Sequence, residues 1–288
     1  MKAVIFRRHG GPEVLEPADV PEPTVGRGEL LIRVKACAVN HLDLWIRQGL
    51  PAYRIRLPHI AGCDVAGLVE RVGPGVAGIT AGDAVILAPG LSCGQCARCR
   101  SGEDSLCASY GIRGAATDGG YAEFTTARAG DALPLPPGLA FEDAAAFPLV
   151  FLTAWHMLLT RAKLQAKETV LVHAAGSGIG HAAVQIAKSL QATVYATVGS
   201  DEKIPKARAL GADDVINYRR EHFEERVDAL TRGRGVDVVF EHVGPDTWEG
   251  SLRVPAKGGR LVTCGSTSGP SVALDLRYVF SRQLSILG

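Results

Sequence analysis

TVLVHAAGSGIGHAAVQIAKSL, spanning Thr169–Leu190, is the stretch whose reading decides the fold. Thr169–His173 is short, apolar and rich in β-branched residues, which suits a strand buried on both faces. Gly176, Gly178 and Gly180 follow at alternate positions, and Ala183, Ile186, Ala187 and Leu190 then recur at helical spacing. Strand, glycine-rich turn and helix in that order form a phosphate cradle. Glycine lets the backbone approach a pyrophosphate closely, and the helix N-terminus offers unpaired N–H groups with a partial positive charge. The spacing departs from strict G-x-G-x-x-G: it reads Ala174-x-x-Ser177-x-x-Gly180, with extra glycines at Gly176 and Gly178. A lone glycine run often only tightens a turn. Here the flanking strand, helix and later repeats of that alternation point to a dinucleotide site, with Ala174, Gly176, Ser177, Gly178, Ile179 and Gly180 as its contacts.

The rest of the chain sets the frame. Its 288 residues are long enough for two domains with cores of their own. A net charge of +1 gives no basic excess for nucleic acid or an anionic membrane surface. No apolar run approaches the ~20 residues of a membrane span, and the N-terminal apolar run is too short for a signal peptide. A cytoplasmic location is the resulting expectation. Four of the seven cysteines fall within Cys93–Cys107, which in a reducing compartment points to metal before disulfides.

In the first half, Lys2–Phe6, Glu29–Ala38, Val65–Val72 and Asp83–Leu87 read as short strands separated by Gly/Pro turns, which together predict a barrel-like β domain. Within it, Cys93, Cys96 and Cys99 stand at three-residue steps, and Cys107 follows eight residues later. Four thiolates at such spacing wrap a tetrahedral ion and leave no open position, so the expected site is one structural zinc. A disulfide pair or free thiols in a loop is the other reading.

Several segments resemble the medium-chain dehydrogenase/reductase superfamily of zinc alcohol dehydrogenases and quinone oxidoreductases. They are HGGPEVL near the start, NHLDLWIRQG at Asn40–Gly49, AGCDVAGLVERVG at Ala61–Gly73, the cysteine lobe, DGGYAEF at Asp118–Phe124 and the glycine turn. The resemblance covers essentially the whole chain. It implies an α/β architecture, with a GroES-like substrate domain over residues 1–149 that carries a zinc lobe at 91–108. A Rossmann-type doubly wound parallel sheet then occupies 150–288, C-terminally incomplete relative to the family. It also implies a homodimer or tetramer where the family's full C-terminus is present.

Departures from the family pattern bear on the chemistry. Zinc alcohol dehydrogenases hold a second, catalytic zinc through a cysteine where this chain has Asn40, and through a histidine-glutamate pair where it has Cys63-Asp64. Their third ligand, a cysteine, aligns with Leu149, and their proton-relay hydroxyl with Leu42. Leucine neither coordinates a metal nor carries a proton. The zinc-free quinone oxidoreductase branch instead matches Asn40 and Asp43. Asn40 offers an amide to a substrate carbonyl or caps its loop, and His41 matches a position that contacts the cofactor pyrophosphate. The candidate catalytic set is Asn40, His41, Asp43, Cys63 and Asp64.

In the second half, Phe141–Leu159 reads as helix broken at Pro148. Strands are expected at Thr193–Val198, Val215–Asn217, Val236–Val243, Arg260–Gly265 and Gln283–Gly288, with helices at Ser200–Leu210, Arg220–Thr231 and Asp246–Val254 between them. After the second strand, Gly199-Ser200 occupies the turn and Lys203 follows within one helical turn. An acid there binds both ribose hydroxyls of NAD(H), whereas an uncharged turn with a nearby cation accommodates a 2′-phosphate. The pattern leans to NADP(H), with NAD(H) open. His242, Val243, Gly244, Gly265 and Ser266 end later strands and are expected to line the nicotinamide side. The expected activity is hydride transfer from NADPH to an α,β-unsaturated carbonyl or a quinone. The alternatives are a zinc-dependent alcohol dehydrogenase and a non-catalytic NADPH-binding protein.

Overall fold

The computed structural model describes residues 1–49 and 54–288, which form two compact units, Met1–Leu149 and Val150–Gly288.

The first unit is built on antiparallel strands. β1 (Lys2–Ile5) pairs with β2 (Glu16–Asp19), and a five-stranded sheet follows the order β8-β3-β4-β5-β9. Its members are β3 (Glu29–Ala38), β4 (Asp64–Val72), β5 (Ala84–Leu87), β8 (Phe124–Arg128) and β9 (Ala132–Pro134). Leu30 and Ile32 of β3 point to one face and bury against Val65, Val69, Val85, Leu87 and Ala127. That alternation fixes the register, because a one-residue slip would turn the same leucine and isoleucine to solvent. Between β3 and β4 lies α1 (His41–Gln48), whose Leu42 and Ile46 close a second cluster with Phe6, Val14 and Ala61. Helix α1 ends at Gly49, with φ at +87°, where a side chain would also strike the His9 ring.

A small lobe leaves this sheet after β5. The two-residue strands β6 (Gly90–Leu91) and β7 (Gly111–Ile112) pair at its base, and the single-turn helix α2 (Ala97–Arg100) lies between them. Helix α3 (Phe141–Ala145) closes the unit, its Ala144 and Ala145 packed against Ala66 and Ile86.

The second unit is an all-parallel six-stranded sheet in the order β12-β11-β10-β13-β14-β15. The strands are β10 (Thr169–Val172), β11 (Thr193–Val198), β12 (Asp214–Asn217), β13 (Val236–Glu241), β14 (Pro255–Thr263) and β15 (Ser285–Leu287). Period-two geometry divides β10: Val170 and Val172 join one core with Ala182, Ala183 and Ile186 of α5 (Gly178–Ser189), while Leu171 joins the other with Phe223, Val227 and Leu252. Helices on both faces make this the doubly wound arrangement, and the strand order reverses between β10 and β13.

Some helix boundaries differ from the sequence reading. Pro148 separates α3 from α4 (Pro148–Trp155), which runs on into a π-helical turn, His156–Arg161. The Ser200–Leu210 helix is instead a 3-10 turn, Asp201–Lys203, followed by α6 (Ile204–Ala209), because Pro205 belongs in a helix's first turn. Helix α7 (Phe223–Thr231) starts at Phe223, not Arg220, since the Arg220 and Glu221 N–H groups both donate to the Asn217 carbonyl and close a turn first. Helix α8 (Pro245–Arg253) and the short α9 (Leu276–Arg282) complete the unit.

Candidate active site

In the first unit, the start of α1 and the start of β4 bring four of the five candidate catalytic residues together. Asn40 is extended and begins α1, and its backbone N–H donates to Asp43 Oδ2 at 2.7 Å. The same carboxylate accepts from Tyr121 Oη at 2.8 Å and, through Oδ1, from Gly62 N–H at 3.2 Å. Asp43 is therefore a buried post that holds three segments. His41 is not part of the cluster; it is exposed and stands edge-on to Trp45, ring centroids 4.9 Å apart.

The Asn40 side chain has a different task from the one its sequence position suggests. Its Nδ2 donates to Asp64 Oδ2 at 2.8 Å and to Cys63 Sγ at 3.4 Å, so the amide hydrogens offered to a substrate carbonyl are already committed. The Leu149 backbone N–H completes the Asp64 shell through Oδ1 at 2.8 Å. Asp64 is 1% exposed, and burial pushes its carboxyl up to about 6 despite the hydrogen bonds from Asn40 and Leu149. Burial, with Asp64 and Asp43 nearby, also pushes the Cys63 thiol well above its ordinary range.

The Asp64 shift has a thermodynamic consequence. Because the folded value lies above the ordinary 3.8, the group's stabilising contribution is full below about pH 3.8 and is lost as pH rises through about 6. At about 1.4 kcal/mol per unit, the swing is about 3 kcal/mol. Asp64→Asn removes this titration. Denaturant melts of parent and variant from about pH 4 to about pH 8 should therefore show the difference moving in the variant's favour by up to about 3 kcal/mol. A difference independent of pH would contradict the assignment.

In the second unit, the candidate cofactor residues sit at the carboxyl ends of β10, β11, β13 and β14. Ala174 leaves β10 with φ at +47°, and its N–H donates to Thr197 Oγ1 at 3.0 Å. Ser177 caps α5, its Oγ accepting the Gly180 N–H at 3.0 Å. The N–H groups of Gly178 and Ile179 stand in the first turn, which a helix leaves without internal partners. A Cβ on Gly180 would lie 2.4 Å from the Ala174 carbonyl oxygen, so only glycine lets helix and turn approach this closely. A Cβ on Gly176 would lie 3.1 Å from Lys203 Cδ, which places the lysine stem beside the turn. These features fit a nicotinamide dinucleotide, whose phosphates need backbone donors and close backbone approach.

Beyond β11, the nearest acid is spoken for. Asp201 accepts from Asn217 Nδ2 at 2.6 Å and pairs with Arg220 at 2.6 Å. Tyr218 was not singled out from sequence, yet a Cβ on Gly199 would lie 2.5 Å from its Oη, so the phenol covers the Gly199-Ser200 turn. After β13, Gly244 has φ at +98°, and the buried His242 ring bonds through Nε2 to the His173 carbonyl oxygen at 2.9 Å. His242 thus offers its backbone, not a free imidazole. Gly265 and Ser266 follow β14, and a Cβ on Gly265 would lie 3.0 Å from the His242 carbonyl oxygen.

Four further buried polar residues, His173, Thr197, Glu241 and Ser251, lie behind these loops and were missed. Glu241 carried a signal: a carboxylate ending the apolar run VDVVFEHV has to find donors inside.

In the lobe, the Sγ atoms of Cys93, Cys96, Cys99 and Cys107 all lie within 4.8 Å of one another. A tetrahedral ion with bonds of about 2.3 Å needs sulfurs about 3.8 Å apart, and Cys93 and Cys99 are 3.8 Å apart. Hydrogen bonds from the Ser109 hydroxyl and the Cys93 N–H pull the Cys107 thiol down to about 6, which favours a thiolate ligand. The four residues fit a structural zinc.

A dinucleotide cradle at a switch point, together with a β unit carrying a four-cysteine lobe, defines a nicotinamide-dependent dehydrogenase or reductase. Family models agree: the alcohol dehydrogenase GroES-like domain matches residues 26–137 and the zinc-binding dehydrogenase domain matches residues 178–288. The chain belongs to the medium-chain dehydrogenase/reductase superfamily and is an NAD(P)-dependent oxidoreductase. It is 36% identical to a quinone oxidoreductase of Salmonella typhimurium over 274 residues, 94% of this chain and 75% of that one. It is 35% identical to an alcohol dehydrogenase of Geobacillus stearothermophilus over 268 residues, 92% and 77% of the two chains. A solved NAD-dependent alcohol dehydrogenase superposes with a TM-score of 0.96 at 48% identity, covering 100% of this chain and 84% of its own. No helix among the described residues is long and apolar enough to cross a membrane.

Proposed function

We propose that the protein reduces α,β-unsaturated carbonyls or quinones with NADPH. The observation that carries this reading is the internal pairing of Asn40, Cys63 and Asp64. An amide that donates to both the thiol and the carboxylate is not a metal ligand, and Leu149 contributes a backbone N–H where a third ligand would be needed. Catalytic zinc sites require three protein ligands and an open position, which this set does not supply. When bound, NADPH supplies the hydride. An enone or quinone delocalises the charge that develops on its oxygen, so the acceptor needs positioning more than a Lewis acid. In this reading Asp43 fixes the start of α1, Asn40 orients Asp64 and Cys63, and Asp64 is the titratable group of the cluster. The occupied Asp201, the lysine stem beside Gly176 and the phenol over Gly199 support a 2′-phosphate.

A second reading, NAD-dependent alcohol oxidation, is favoured by the 48% identical solved relative. NADPH absorbance against a panel of enones, quinones and simple alcohols separates the two. Enone or quinone turnover that survives a chelator supports the proposal. NAD-linked oxidation of simple alcohols, lost to a chelator and restored by zinc, overturns it.

A further inference from the structure

Behind the cradle, hydroxyl, imidazole and carboxylate groups form one directed chain. Glu241 Oε1 accepts the N–H groups of Val243 at 2.6 Å and Gly244 at 3.1 Å. Its Oε2 accepts the hydroxyls of Ser251 at 2.7 Å and Thr247 at 2.8 Å. Four donors on one fully buried carboxylate leave it ionised. Burial pushes Glu241 up, but the Ser251 hydroxyl and the N–H groups of Val243 and Gly244 hold the value below the ordinary range. An ionised carboxylate only accepts, so Ser251 must donate to it, and the Ser251 oxygen then accepts from His173 Nε2 at 2.9 Å. With its proton on Nε2, His173 accepts through Nδ1 from Thr197 Oγ1 at 3.2 Å. The Thr197 oxygen in turn accepts the Ala174 N–H at 3.0 Å. Desolvation pulls His173 down to about 4, in keeping with a neutral ring. Every hydrogen has one place in this sequence, from the first residue of the glycine turn to the loop after β13.

We infer that Thr197, His173, Ser251 and Glu241 are positioning residues for the cofactor: the relay registers the glycine turn against the β13–α8 loop, so that both present their backbones to one dinucleotide. The inference rests on the glycine turn being the cofactor's cradle. None of the four side chains needs to touch substrate. The relay acts on the parts of the cofactor that NADPH and NADH share, so its loss weakens both alike.

The test measures dissociation constants for NADPH and NADH, kcat at saturating cofactor, and melting temperature. Ser251→Ala and Thr197→Val should each raise both dissociation constants by about tenfold, as expected for breaking a buried charge-linked hydrogen bond. The kcat at saturation should stay within about twofold, and Thr197→Ser, which keeps the hydroxyl, should restore parental affinity. Val227→Ala, which loosens the cluster of Leu171, Phe223 and Leu252 without removing a relay hydrogen bond, is the stability control: it should lower the melting temperature and leave cofactor affinity alone. Parental affinity in Ser251→Ala and Thr197→Val, or a loss matched by Val227→Ala, overturns the relay. Gly176→Asp separates the two layers of the argument. If it abolishes NADPH binding while the relay variants bind normally, the cradle stands and the relay fails. If it leaves NADPH binding intact, the cradle reading fails and takes the relay with it.

Discussion

Cys99→Ser is expected to release the zinc and unfold the lobe while the β3–β4–β8 sheet stays intact. The lobe has almost nothing else to hold it. Helix α2 is one turn long and buries no residue, and Leu106 is 55% exposed. Binding of a structural zinc supplies on the order of 10–16 kcal/mol in small metallo-lobes, far more than the hydrogen bonds that remain here. The sheet has its own core of Leu30, Ile32, Val65 and Leu87, to which none of the four lobe cysteines contributes. Elemental analysis should fall from about one zinc per chain to near none, and limited proteolysis should cut between Ser92 and Tyr110. Full zinc content, or a lobe that resists protease as the parent does, would refute the assignment. Two tightly bound zincs in the parent would instead revive a metal at Cys63 and Asp64.

Lys203→Glu is expected to weaken NADPH by about 30- to 100-fold at low salt and NADH by no more than about threefold. The ammonium sits on a stem that lies beside Gly176, and Asp201, the first acid after β11, is held by Asn217 and Arg220. A 2′-phosphate placed there loses a charge-assisted bond and gains a repulsion, whereas NADH presents only a hydroxyl. Lys203 is exposed, so the effect should shrink as salt screens it. Equal losses for the two cofactors would place the lysine on a solvated helix face and leave Tyr218 and Gly199 to explain any preference.

The sequence showed the frame of the molecule better than its chemistry. The four-residue apolar strand, the glycines at alternate positions and the cysteine triplet are local signals, and each forms what its own residues dictate. Helix starts were less legible, because Asn217 closes a turn through its carbonyl and no residue type announces that. The role of Asn40 was hidden for a stronger reason: its partners are 23 and 24 positions away, so no local pattern shows that its amide is occupied. The relay residues were hidden in the same way. Thr197 and Ser251 read as ordinary members of a strand and a helix until His173 is seen between them.

The pairing pattern of the first unit also sets an order of events during synthesis. Every strand of its main sheet finds its partner by Pro134, and its core, its α1 cluster and its four thiols are all made from residues before 150. Antiparallel neighbours such as β4 and β5 meet soon after they leave the ribosome. The parallel sheet comes later because all of its strands follow the first unit, and β10 remains half-paired until Val238 of β13, the partner of Val170, has been made 68 residues further on. Zinc can therefore be captured by a nascent chain that has no cradle yet, and scarcity of the metal would be felt before the dinucleotide has anywhere to bind.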